Sequence, residues 1–126
     1  PVDDSNIPGC TYCHPQVGSL GLTEAQAKDA GHEVKVGKFL FQASGKAMAV
    51  GDTTGFVKLV FDAKYGELLG AHIVGSEATE LIAELGIAKA LESTWHELAT
   101  TVHAHPTLTE AVMEAALDAM GQGVHQ

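Results

Sequence analysis

The amino-acid sequence predicts an α+β fold, an antiparallel sheet layered with helices, and three observations predict it. Strand-like runs dominate the chain up to Gly75, and helical patterns dominate after Ser76. Two adjacent β-rich runs, "FVKLVFD" and "ELLGAHIVG", are joined by the short segment "AKYG", so they pair as an antiparallel hairpin. Strands alternating with long crossover helices, which a parallel sheet would need, do not occur.

Residues 1–8, "PVDDSNIP", are polar and bounded by proline, and read as a linker arriving from something upstream, consistent with a chain that opens on Pro1. "CTYC" and "QVGSLGLT" follow as short extended segments split by Pro15. "TEAQAKDAG" is a short helix with Thr23 as N-cap, Gln26 completing a capping box, and Gly31 as its stop. From Glu33 to Gln42 the pattern is strand-like, Val34 and Val36 alternating with polar neighbours. "SGKAMAVGDTT" is ambiguous between a loop and a turn of helix. After the hairpin, Ser76 is the expected cap of a long helix whose apolar positions are Ala78, Leu81, Ile82, Leu85, Ala88 and Leu91. "TWHE" opens a short helix to about Thr101. "TLTE" opens the last one, to about Met120, with Gly121 and Gly123 ending it. No internal repeat interrupts this order.

Composition narrows the function. Sixteen acidic residues against seven basic ones give a net charge of −9, which argues against nucleic acid and permits a basic protein partner. No apolar run approaches the ~18 residues of a membrane span, and no signal peptide opens the chain. Two cysteines are too few for a disulfide framework, so a reduced, cytoplasmic protein is expected.

Within "GCTYCHPQ" the triplet Cys10, Cys13 and His14 has the C-x-x-C-H form of covalent haem attachment. A zinc site would need a fourth ligand, which His103 or His105 could nominally supply. The flanks look extended, however, and in a strand positions 10 and 13 point to opposite faces. Two small buried strand residues, and no metal, are the expectation. Trp95 and the phenylalanines are expected in the core, and His32, His72 and His96, which lack metal-ligand spacing, as surface or hydrogen-bonded core residues.

The denser signal is "HAHPTLTEA", residues 103–111. Pro106 biases His105 away from helical dihedrals and so holds the imidazole in an extended segment before a helix. Thr107 is the expected N-cap and Glu110 falls at N3, where its carboxylate reaches back toward the helix start. From there Glu110 can bond one ring nitrogen of His105 and fix its tautomer, leaving the other to move a proton. The bland alternative is a capping glutamate beside a loop histidine.

"HAHPTLTEA" resembles the H-A-H-P-T-L-(Ser or Thr)-E segment of the dihydrolipoamide dehydrogenase family, flavoprotein pyridine nucleotide–disulfide oxidoreductases. "IPGCTYCHPQVGSLGLTEAQA" is similar to the start of that family's C-terminal interface domain, and "GFVKLVFD", "GELLGAHIVG" and "ATELIAE" continue the likeness in the same order. It covers about residues 7–120 and departs at Gln16, where Glu is usual, and at Gly18, where Ala is usual. The resemblance implies an FAD/NAD-linked reductase dimerisation-domain fold over 9–126, with 1–8 as the linker from FAD and NAD domains. It implies His105 and Glu110 as the catalytic acid–base pair serving the partner subunit of a homodimer, with His105 and Pro106 against the partner's FAD. His103 is expected to be structural or part of the pocket wall. Dihydrolipoyl groups are the implied substrate, NAD the electron acceptor, and the acyltransferase's basic peripheral subunit-binding domain a further partner. The implied compartment is the cytoplasm, or the mitochondrial matrix in a eukaryote. Because no G-x-G-x-x-G and no C-x-x-x-x-C occur in it, the chain alone is expected not to turn over. The alternatives are a stand-alone dimerisation module without chemistry, or the interface domain of a glutathione or mercuric reductase.

Overall fold

The computed structural model of the chain describes residues 6–121. Five strands, β1 (Gly9–Thr11), β2 (Gln16–Gly21), β3 (Val34–Leu40), β4 (Phe56–Asp62) and β5 (Leu68–Gly75), form one antiparallel sheet in the order β1-β2-β5-β4-β3. The helices are α1 (Glu24–Asp29), α2 (Gly45–Val50), α3 (Ala78–Ala90), α4 (Trp95–Thr100) and α5 (Glu110–Ala119). The α+β class read from the sequence is the architecture observed.

The β4–β5 hairpin forms the centre of the sheet, and its alternation divides two cores. Val57, Leu59 and Phe61 face the main core, while Val60 joins Leu69 and Ala27 of α1 in a smaller cluster with Leu22 and Val34. A bulge between Val60 and Phe61 skips Leu69 in the ladder, which lets Leu68 enter the main core and Leu69 the smaller one. Asp62 organises the turn: its Oδ2 accepts the Tyr65 N–H at 2.7 Å and its C=O accepts the Gly66 N–H at 2.8 Å.

α3 lies over β2 and β5, and α5 over β3 and β4. α3 buries Ala78, Leu81, Ile82, Leu85 and Ala88; Leu91 is its C-cap and is exposed, so the expected apolar stripe is one position too long. Ser76 does not cap this helix; Glu77 is the N-cap and makes no side-chain bond. The start is served from β2 instead, where Gln16 Oε1 accepts the Thr79 N–H at 3.2 Å and its hydroxyl at 2.7 Å. Capping boxes at Thr23 and Thr94 both form in full. The ambiguous "SGKAMAV" is helix α2, with Ser44 as N-cap. β3 ends at Leu40, sooner than its sequence pattern suggests, because Phe41–Ala43 turn into a 3₁₀ segment that buries Phe41. Of the stops expected for α5, Gly121 closes the helix at φ 76°, and Gly123 lies outside the described residues.

α5 approaches the sheet closely at Gly37. A Cβ on Gly37 would stand 1.8 Å from the Ala115 carbonyl oxygen and 2.8 Å from Ala119 Cβ. The facing helix residues are small to match: Ala111, Ala115, Ala116 and Ala119 are buried around Val112. Asp118 adds a directional bond, its Oδ2 accepting the Lys38 N–H at 2.8 Å. Gly37→Ala therefore forces α5 off the sheet, with an expected loss of about 1–3 kcal/mol in urea unfolding. Amide exchange in α5 should accelerate ahead of β4 and β5, and unchanged stability would refute the close approach.

Candidate active site

Residues 101–109 cross from α4 to α5, and the two histidines of this loop part company. His103 turns inward, its side chain 6% exposed, whereas the side chain of His105 is 79% exposed. The His105–Pro106 peptide is cis. Beyond it the Thr107 hydroxyl donates to the Ala104 carbonyl at 2.6 Å and lies 3.0 Å from the Thr109 hydroxyl, which folds the chain back on itself.

The helix begins later than the sequence pattern suggests. Its N-cap is Thr109, so Glu110 stands at N1 and not N3, and Thr107 caps nothing with its side chain. Local hydrogen bonding explains the shift: Thr107 Oγ spends its donor on Ala104, and the first turn is tight, with Ala111 N–H on Leu108 O and Val112 N–H on Thr109 O. The carboxylate half of the expected capping box survives, because Glu110 Oε1 accepts the Thr107 N–H at 2.9 Å.

The same carboxylate holds His105. Nδ1 lies 3.1 Å from Oε1 and 3.0 Å from Oε2 of Glu110. The Thr107 N–H, followed by the His105 bond, keeps the Glu110 carboxyl below its ordinary value against an opposing push from burial. Its place in the first turn of α5 favours the negative charge as well. An ionised carboxylate only accepts, so Nδ1 must donate, and in the neutral ring Nε2 is left with its lone pair free. On the exposed face of the loop this is a base presented outward.

Beside the pair lies a cavity of about 130 Å³ lined by His105, Thr107, Glu110, Glu114, Ser44 and Phe39 among others. Glu114 carries a buried Oε2 without a hydrogen-bond partner, a feature the sequence does not signal. A wider groove of about 650 Å³ runs between β2, β5 and the end of α3, and neither His105 nor Glu110 lines it.

The opening cysteine motif separates in space. β1 ends at Thr11, so Cys10 is a half-buried strand residue packed against the core, while Cys13 sits in the bend beyond it, exposed, its Sγ donating to Pro15 O at 3.3 Å. The expectation of two buried strand residues therefore fails for Cys13, because the strand is too short to include it. His14 is also exposed. Among the described residues no group of three or more His, Cys, Asp or Glu is placed to hold a metal ion, and no helix is long and apolar enough to cross a membrane. His32 pairs with Asp62, and His72 bonds Ser19 and the Leu22 carbonyl.

Fold and site together define an α+β domain that carries a hydrogen-bonded His–Glu pair at the head of its last helix. Residues 7–116 match the family described as the pyridine nucleotide-disulphide oxidoreductase dimerisation domain. Dihydrolipoyl dehydrogenase of Rhizobium etli is 55% identical over 122 residues, 97% of this chain and 25% of that protein. The enzyme of the same name from Bacillus subtilis is 48% identical over 125 residues, 99% of this chain and 26% of the relative. The chain belongs to this dimerisation-domain family. It spans about a quarter of the length of the curated relatives it matches. Among solved structures, LpdA from Mycobacterium tuberculosis is similar with a TM-score of 0.85 at 22% identity, over 92% of this chain and 25% of that one. The HOCl-induced flavoprotein disulfide reductase RclA from Escherichia coli is similar with a TM-score of 0.85 at 24% identity, over 89% and 26%. At these identities the likeness is one of fold.

The lowered Glu110 carboxyl links the site to pH. A group depressed on folding stabilises the protein above its unfolded pKa, and the contribution is lost as pH falls through the folded one. Glu110→Gln should therefore melt below the wild type at neutral pH, and the two melting curves should converge in acid below the usual carboxylate range. A constant gap down to pH 3 would contradict the assigned bonds.

Proposed function

We propose that this chain is the dimerisation domain of an FAD- and NAD-dependent dihydrolipoyl dehydrogenase and supplies His105 and Glu110 as the acid–base pair of its partner subunit's active site. The observation that carries the reading is the Nδ1–carboxylate bond, which leaves Nε2 free on an exposed loop. The named relatives support the substrate class, dihydrolipoyl groups.

In this mechanism His105 Nε2 takes the proton of a dihydrolipoyl thiol, so that the thiolate attacks a redox disulfide held elsewhere in the enzyme. It returns a proton in the reverse direction. Glu110 keeps the ring oriented and balances the positive charge that it gains. Such proton transfer contributes about 10²–10⁴-fold to rate. A flavin, when bound, supplies passage of an electron pair from the dithiol to NAD. The residues present fit it as one wall and no more: the cavity beside the pair, about 130 Å³, is smaller than ligand pockets usually are, and the exposed His105–Pro106 segment offers a surface to lie against a ring. The remaining walls belong to the other subunit of a homodimer, and the chain alone does not turn over.

Residues 1–8 act as the linker from preceding FAD and NAD domains and 9–126 as the interface domain; residues 1–5 and 122–126 lie outside the described residues. At the described end of that linker, Asn6 Nδ2 donates to the Gly86 carbonyl of α3 at 3.0 Å, which docks the incoming chain on the domain. The net charge of −9 supports docking of the acyltransferase's basic peripheral subunit-binding domain, an association steered by charge.

In the full-length enzyme, His105→Gln and Glu110→Gln should each lower dihydrolipoamide turnover by about 10²–10⁴-fold while flavin stays bound. Turnover within twofold of wild type for either variant would refute the assignment. Binding of the acyltransferase domain should weaken as salt is raised from low to high ionic strength, and salt-independent affinity would refute the charged docking face.

A further inference from the structure

His103 is a titratable residue with a buried side chain that this proton-transfer reading leaves unused. Its ring is 6% exposed, and both nitrogens are engaged: Nε2 lies 2.9 Å from Glu84 Oε2, and Nδ1 lies 3.1 Å from the Thr101 carbonyl oxygen. A carboxylate and a carbonyl both accept and never donate. Each of these partners can accept a hydrogen bond from the ring nitrogen that faces it. The partners come from different elements, Glu84 from α3 and Thr101 from the end of α4.

This places a second His–Glu pair behind the first. α3 is held on the sheet by Leu81, Ile82 and Leu85, so a bond to Glu84 ties the start of the loop to the main core. The end of the loop is tied through Glu110 to α5, itself seated on β3 at Gly37. His105 sits between these anchors, two residues past one and five before the other. In an extended stretch, neighbours one residue removed on either side of Ala104 would share a face. Here the chain turns between them, with His103 inside and His105 outside. The inward bonds at His103 and the Thr107–Ala104 bond are what hold that turn.

We propose that His103 and Glu84 form a clamp that positions the active loop and so sets where His105 presents Nε2. His103 is a positioning residue, not a catalytic one, and the inference rests on His105 being the proton acceptor. A positioning loss removes stabilisation of the transition state more than binding of the substrate, so it falls on kcat and spares KM.

The test uses full-length, flavin-loaded enzyme carrying Glu84→Gln, His103→Gln or His105→Gln. Glu84→Gln keeps the size of the side chain and an acceptor oxygen while removing the charge. Its kcat should fall about tenfold with KM for dihydrolipoamide within about twofold of wild type, as expected for a small misplacement of a reacting group. Nitrogen-15 spectra of the histidine rings should show the His103 signals displaced in Glu84→Gln, with the His105 signals displaced as well. His103→Gln should reproduce the kcat loss; where it fails to fold, Glu84→Gln decides. If His105→Gln abolishes turnover while Glu84→Gln leaves kcat unchanged, the clamp is overturned and the proton-transfer reading stands. If His105→Gln retains turnover, that reading falls, and the clamp is judged by the spectra alone: His105 signals unmoved by Glu84→Gln overturn it.

Discussion

One carboxylate bonded on two sides is the constraint on which the rest depends. Glu110 takes the Thr107 backbone N–H and the His105 ring N–H together, at 2.9 Å and 3.0–3.1 Å. The backbone bond fixes where the carboxylate stands, and the ring bond transfers that position to the imidazole. Both favour the ionised form, so the charge that orients the ring persists through the neutral range. A histidine on an exposed loop would otherwise rotate among its staggered positions and both its tautomers.

Holding one side chain in this way requires a rigid frame behind it, and the frame is built from close approaches. α5 meets β3 where a Cβ could not fit at Gly37, and α3 meets β2 at Gly18, where a Cβ would stand 2.9 Å from the Ala78 carbonyl oxygen. Gly18 and Gln16 both act on α3. Gly18 makes room for the helix start, and Gln16 bonds Thr79 there in place of the absent cap. Both residues therefore bear on one helix junction and lie apart from the His105–Glu110 pair.

Features set by neighbours in the chain were legible in the sequence; features set across space were not. The capping boxes at Thr23 and Thr94 form because each is complete within four residues. The β4–β5 hairpin is legible because two alternating runs flank a short turn. Ser76 is the natural cap by spacing, yet the Thr79 N–H at the start of α3 finds Gln16, 63 residues away in the chain. The pairing of His105 with Glu110 was readable from a five-residue offset. Its position in the helix was not, since the competing bond from Thr107 to Ala104 moved the cap. His103 and Glu84 stand 19 residues apart on separate elements, and no local pattern connects them.

The most direct measurement is the tautomer of His105, read from the nitrogen-15 shifts and one-bond proton couplings of its ring in the intact dimer above its titration. Hydrogen on Nδ1 and a bare Nε2, with that preference lost when Glu110 is replaced by Gln, is the result this account requires. Hydrogen on Nε2, or a ring indifferent to residue 110, would contradict it.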